Sequence, residues 1–293
     1  MDVMITKSNG DSLKLGDLGI NVKDFNVGSI PVTGLYGDIE GRAGTVDYGA
    51  DLGQRTISVP FYMKANDMAD YPLLRDELFS LVVSQEPFYV RELRRTEYQT
   101  GDNRMVGGKR YKVRISGGFD IDQAFKYGFG EITFETTDLP YAESIGSTQD
   151  IDMGGVSSDS DLWGFGMGLD ADDRHLQYTH NVQRGKEFLI YNAGNVKIHP
   201  FQQFLRIEIS DVVGYDSFFE LKNETNGSVF RVDQRLTGSQ LSVLDGANFT
   251  IDSLQSLRKT NRQFIGLDSG VNMLSIQGAM SAKIKFDFRF NYL

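Results

Sequence analysis

The sequence predicts a mainly β protein made of two β domains with a single α-helix, and three observations carry that prediction. Apolar and polar residues alternate along many short segments, which is the period of a half-buried strand. One stretch alone, "DYPLLRDELFSLVV" at residues 70–83, repeats its apolar residues at the helical period instead. The chain holds 32 Gly and only 6 Pro, so chain reversals fall to Gly, Asn and Asp.

The first half is written largely in strands. "SNGD" between "VMITK" and "SLKL" is a hairpin turn signal. In "RTISVPFYMK", Ile57, Val59, Phe61 and Met63 point one way and Thr56, Ser58 and Tyr62 the other. Pro60 inside that run favours an edge position or a bulge, because it has no N–H for a ladder. The helix follows. Asp70 is placed to cap it and Pro72 falls in the first turn, where a missing N–H costs little. Tyr71, Leu74, Leu78, Leu81 and Val82 form one apolar stripe, with Arg75, Asp76 and Glu77 on the wet side. Pro87 stops the element, giving a helix near residues 70–84 that covers one face of a sheet. A long polar segment, "RRTEYQTGDNRMVGG" at 94–108, opens a basic patch of Arg91, Arg94, Arg95, Arg104, Lys109 and Arg110. Strands resume at "KRYKVRI" and at "YGFGEITFET", where Phe129, Ile132 and Phe134 read as buried and Gly130 as a bulge.

Residues 138–161 are rich in Ser, Gly and Asp, the composition of an inter-domain connection. This places a boundary near Ala142 and gives domains 1–142 and 143–293. The second half has short strands at close spacing, the rhythm of a β-sandwich or jelly roll. In "KIKFDFRFNYL", Ile284, Phe286, Phe288, Phe290 and Tyr292 share one face.

Composition removes several kinds of chemistry. With no Cys there is no disulfide, thiolate nucleophile, zinc finger or iron–sulfur cluster. A net charge of −10 argues against sequence-specific nucleic-acid binding, since an acidic surface repels phosphates. No run of about 18 apolar residues predicts a membrane span, and the N-terminus reads as free of a signal peptide. Among "LDADDRHLQYTH", His175 and His180 lie five apart and share neither a helix face nor a strand face, so no metal is expected. "WGFGMG" lacks phosphate-loop spacing, and the serines of "GGVSSDS" lack a nucleophile elbow. The reading is therefore not an enzyme and calls for no cofactor. Exposed aromatic rings on a β-sandwich can stack on sugars, and Trp163, Tyr178, Tyr191 and Tyr215 are the rings to test for that role.

Several segments in order resemble the distal tail proteins of siphophages. They are "LGINVKDFNV", "DIEGRAGTVDYGADLGQRTISVPFYMKA", the helix, "KRYKVRI" and "DLPYAESIG", then "YNAGNVKIHPFQQFLRIEI", "FTIDSLQSL" and "LSIQGAMSAKIKFDFRFNYL". The resemblance implies a ring-forming N-terminal β domain with one helix, assembling as a homohexamer, and a galectin-like C-terminal β-sandwich. It implies a virion structural protein, made in the host bacterial cytoplasm. That protein is a hub joining the tail tube protein to a tail-associated or tail-fibre hub protein and to receptor-binding or baseplate proteins. DNA would pass through its channel. The alternative is a carbohydrate-binding host-adhesion subunit. Residues 94–108 exceed the compact hairpin expected there: they would serve as an arm on the neighbouring subunit, which an acidic partner surface favours, or as a channel loop.

Overall fold

The computed structural model describes residues 1–95, 107–157, 160–170, 173, 175–214 and 216–293. The chain divides into two compact units, Met1–Ala142 (with Leu293) and Glu143–Tyr292.

The first unit contains β1 (Asp2–Thr6), β2 (Ser12–Lys14), β3 (Ile20–Val22), β4 (Asn26–Val27), β5 (Val32–Asp38), β6 (Thr45–Leu52) and β7 (Thr56–Lys64). These are followed by α1 (Tyr71–Val82), β8 (Phe88–Leu93), β9 (Lys109–Ile115), β10 (Ile121–Ala124) and β11 (Tyr127–Thr136). One sheet runs β2-β1-β8-β9-β11-β7-β3, with β10 against β11 and β4 against β7, while β5 and β6 pair only with each other. The hairpin at Gly10 forms as the sequence predicts, with Gly10 at φ +91° and Met4 to Thr6 paired with Ser12 to Lys14. Ile57, Val59, Phe61 and Met63 are fully buried, and the stripe of α1 buries against the same core.

Three local expectations need correction. Pro60 does not mark a sheet edge, since β7 lies between β11 and the β3/β4 pair. Its carbonyl accepts from Lys23 N–H at 2.8 Å on the side where β3 gives way to β4, so the missing donor costs the β11 ladder nothing. Asp70 does not cap α1 with its side chain. Its carboxylate accepts instead from Asn66, while Asp67 Oδ1 holds the N–H groups of Ala69 and Asp70 at 2.8 Å. Gly130 is not a bulge: β11 and β7 pair in unbroken register from Tyr127↔Lys64 to Glu135↔Thr56. Regular alternation therefore sends Phe129 outward, 40 % exposed, and leaves only Ile132 and Phe134 inside. Gly128 and Gly130 instead make room: a Cβ at 130 would stand 2.9 Å from the Phe61 ring.

The second unit contains β12 (Ala142–Ser144), α2 (Thr148–Gly154), β13 (Thr179–Gln183), β14 (Phe188–Asn192), β15 (Leu205–Val213), β16 (Phe219–Asn223) and β17 (Val229–Val232). Then come β18 (Ser242–Asp245), β19 (Asn248–Ile251), β20 (Leu254–Gln255), β21 (Gly270–Gln277), β22 (Ser281–Phe288) and β23 (Asn291–Tyr292). A six-stranded sheet, β13-β22-β15-β18-β19-β20, accompanies a four-stranded one, β14-β21-β16-β17. Rings meet between them, Phe188 with Phe286 at 6.4 Å and Phe230 with Phe249 at 5.0 Å, as in a sandwich. The stretch read as a connection carries a second helix. In α2, Ser147 Oγ accepts from Gln149 N–H and the Asp150 carboxylate accepts from Ser147 N–H at 2.7 Å, a reciprocal cap.

Candidate assembly interface

The β5–β6 ribbon of the first unit gathers six exposed large apolar side chains. Its base is clasped by Gly28 N–H to Thr56 O at 2.9 Å and Gly53 N–H to Pro31 O at 2.8 Å. Strand β6 has 8 residues, so the ribbon reaches about 26 Å at roughly 3.3 Å per residue. The register slips between Gly34 and Tyr36, where Tyr48 and Gly49 oppose Leu35 alone and Gly49 takes φ +106°. Such a bulge sharpens the twist and re-aims side chains. Tyr36 lies along Gly34 and Tyr48 across Gly37, so each ring occupies the space that a Cβ at the glycine would fill. Val32, Leu35, Tyr36, Ile39, Tyr48 and Leu52 are all exposed. Asp38, Glu40, Asp47 and Asp51 oppose the single cation Arg42, so the ribbon is acidic as well as apolar. A two-stranded ribbon with open edges and greasy faces is only marginally stable alone in water and is suited to a partner surface. Sequence pattern does not reveal it, because its three glycines within the strands dilute the alternation.

The basic patch is partly assembled. Tyr89↔Lys112 and Val90↔Tyr111 are paired in β8 and β9, so alternation puts Tyr89, Arg91, Arg110 and Lys112 on the outward face. The Arg110 guanidinium lies 3.9 Å from the centre of the Tyr89 ring, a cation–π contact that holds it flat. Arg91 Nε donates to Gly107 O at 2.5 Å. Lys112 pairs with Asp138 at 2.5 Å. Arg94, exposed, pairs with Glu92 and stands 3.9 Å from Asp24. Arg95 is also exposed. Lys109 falls on the opposite parity to Arg110 and is half-buried, and desolvation lowers its ammonium pKa. It does not join the outward face. Arg104 and most of the 94–108 segment lie outside the described residues.

Three of the four aromatic candidates lie among the described residues, and each of the three is buried or half-buried. Trp163 is buried on Gly146 and tilts against Phe290 at 6.3 Å. Tyr178 is fully buried, donates to Tyr191 O at 2.9 Å, and meets the Phe288 ring edge-on. Burial pushes its phenol pKa far above the ordinary value. Tyr191 is half-buried and donates to Gly168 O at 3.3 Å. Tyr215 lies outside the described residues. The core takes Trp163 and Tyr178, because large flat side chains fill the space between two sheets. Among the described residues, no three His, Asp or Glu side chains group to hold a metal, and no helix is long and apolar enough to cross a membrane. His175 instead pairs with Asp173 at 2.7 Å, and the hydrogen bonds from His175 lower the Asp173 pKa.

The first unit thus carries an acidic, apolar ribbon and a cationic sheet face. Residues 8–136, most of the first unit, match the family described as the phage tail protein RIFT-related domain. Over 98% of this chain and 99% of the other, the fold is similar to that of the Dit protein of phage SPP1. That protein is described as a paradigm of the hub adsorption apparatus in phages infecting Gram-positive bacteria. The identity is 11% and the TM-score 0.63. Two structures of the phage P2 baseplate in its activated conformation, with calcium and with strontium, align at TM-scores of 0.42 and 0.41. They share 10% and 9% identity, over 99% and 98% of this chain and 97% of each of theirs, too loosely for a shared fold to be read from them. No curated protein matches at the sequence level.

Proposed function

We propose that the chain is a structural subunit of a siphophage tail tip: a homohexameric hub that joins the tail tube to the baseplate or receptor-binding apparatus and performs no catalysis. The exposed β5–β6 ribbon carries this reading. A closed ring requires two different patches on each subunit to meet. The acidic, apolar ribbon and the outward face bearing Arg91 and Arg110 differ in the way such a joint needs. Like charge also discourages ribbon from pairing with ribbon, which steers the ribbon toward the cationic face. The full-length likeness to a known tail hub supports the same reading. The second unit, a two-sheet sandwich of galectin-like type, serves as the outward attachment surface for tail-fibre or baseplate partners.

Light scattering and negative-stain images of the purified chain test this directly. Six-fold rings are expected. Charge reversal at Arg94 and Arg95 is expected to shift the assembly toward monomer most strongly at low salt, where exposed charges are least screened. A chain that stays monomeric at every concentration and joins no tail component would remove the proposal.

A further inference from the structure

The second unit has a cleft of about 470 Å³ that none of the features above uses. It gathers three segments distant in sequence: the connection after β14, the turn between β16 and β17, and the segment before β21. Ile198 and Leu267 hold two of these together, with Ile198 N–H to Leu267 O at 2.7 Å and the reverse bond at 3.0 Å.

One lining segment, residues 266–268, is held by buried asparagines that do not line the cleft themselves. Asn192, Asn223 and Asn272 are almost wholly buried. Asn223 Nδ2 donates to Gly266 O at 2.9 Å and to Asn272 Oδ1 at 3.0 Å. Asn272 Nδ2 donates to Asp268 O at 2.9 Å, and its Oδ1 accepts from Asp268 N–H at 2.8 Å. Asn192 Nδ2 also reaches Asp268 O, at 3.3 Å. Buried amides that satisfy one another and a loop's main chain hold that loop in one shape.

The mouth mixes three kinds of group. Phe201 packs against Phe264 at 4.8 Å and the His199 ring at 5.3 Å, and still leaves 57 % of its surface exposed. Lys197 and Arg262 are exposed lining residues with no carboxylate at ion-pair distance among the described residues. Asp268, His199 and Gln263 add hydrogen-bonding capacity. His199 Nδ1 accepts from Phe201 N–H at 3.3 Å, which puts the proton of the neutral ring on Nε2 as a free donor. Gln263 Oε1 accepts from Asn261 at 3.4 Å, which leaves its NH₂ available.

We infer that this cleft binds an anionic saccharide, one sugar unit bearing a phosphate or carboxylate. The sugar face would lie on Phe201, its hydroxyls would meet Asp268, His199 Nε2–H and Gln263, and its anionic group would pair with Lys197 and Arg262. The volume suits a ligand of that size. Two cations and one acid favour a net negative ligand over a neutral one. The inference goes beyond the hub reading and does not depend on ring formation.

The test is titration calorimetry on the full chain with glucose 6-phosphate, glucuronate, glucose and inorganic phosphate. Saturable binding of at least one of the two anionic sugars is expected. Glucose should bind about tenfold more weakly or worse, one decade for each charge-assisted hydrogen bond that a neutral sugar cannot make. Which of the two anionic sugars binds tells phosphate from carboxylate. Phe201→Ala and Arg262→Asn are each expected to weaken binding about tenfold. Asn suits position 262, whose φ is +55°, and both sites are exposed, so the fold is spared. Phe125→Ala, in the first unit, should change nothing. Equal affinity for glucose and the anionic sugars, an adventitious response shared by inorganic phosphate alone, or full binding in the double variant would overturn the inference. Rings that bind no sugar would refute this inference alone, and a monomer that binds would refute only the ring.

Discussion

Truncating the two ribbon tyrosines, Tyr36→Ala and Tyr48→Ala, is expected to weaken self-association while leaving the folded monomer nearly as stable as before. Each ring is 66 % exposed in the free chain. With about 200 Å² for a Tyr side chain, that is roughly 130 Å² available to a neighbour, or about 3 kcal/mol at ~25 cal/mol per Å² if wholly covered. Ordering the ring on docking takes back part of that gain, leaving about 2 kcal/mol per tyrosine, or roughly thirtyfold in Kd. Sedimentation over a concentration series reads the loss as a shift of the assembly midpoint. Urea unfolding of the monomer reads the other side, where a change within about 0.5 kcal/mol is expected for exposed positions. A double variant whose midpoint moves less than about threefold would refute the reasoning, and so would one whose monomer loses the full ~4 kcal/mol in unfolding. In either case the rings would be packing within their own chain instead of waiting for another.

Three further outcomes follow from packing and titration. Leu78→Ala removes the most buried leucine of the α1 stripe and should cost about 2–5 kcal/mol of first-unit stability in denaturant unfolding. Gly130→Ala puts a methyl group 2.9 Å from the Phe61 ring and 3.0 Å from Asp120 O, so about 1–3 kcal/mol should be lost and the Phe61 environment should change by NMR. Tyr178 and Tyr292 keep their protons in the folded chain because burial raises both pKa values above 10.0, the ordinary value at which they ionise once unfolded. The unfolded state then binds fewer protons than the folded one above pH ~10, so stability is full below that pH and falls as pH rises, by about 1.4 kcal/mol per unit per tyrosine. Absorbance titration at 295 nm should show two tyrosines ionising only as the second unit unfolds.

Much of the fold was legible because period and face coincide. Ile57 to Met63 and Ile284 to Tyr292 alternate without interruption, and every apolar residue of those two sets is buried. Phe129 was misplaced because glycines on both sides left one ring to set the parity. The register of β11 against β7 decides it, and that register is a tertiary fact. The helix α2 hid in a composition typical of linkers, although Ser147 and Asp150 stand at capping-box spacing and could have marked it. Trp163 and Tyr178 looked like surface rings because nothing local distinguishes a ring that stacks on a sugar from one that fills a core. The ribbon's exposed apolar surface and the cleft were the least visible. One depends on what the rest of the unit leaves uncovered, and the other on segments tens of residues apart meeting in space.

The buried asparagines under the cleft grip their loop only by its main chain, at Gly266 O and at the N–H and carbonyl of Asp268. The exposed side chains of Arg262 and Gln263 take no part in those bonds, while Phe264 packs on Phe201. Substitutions at 262 and 263 can retune which small molecule is held, or abolish the grip altogether, without reshaping the sandwich beneath. Mutational libraries that vary Gln263 and keep position 262 to residues tolerant of its φ of +55°, such as Asn, Asp or Gly, should yield folded chains at high frequency, which makes this rim a practical place to graft new ligand preferences.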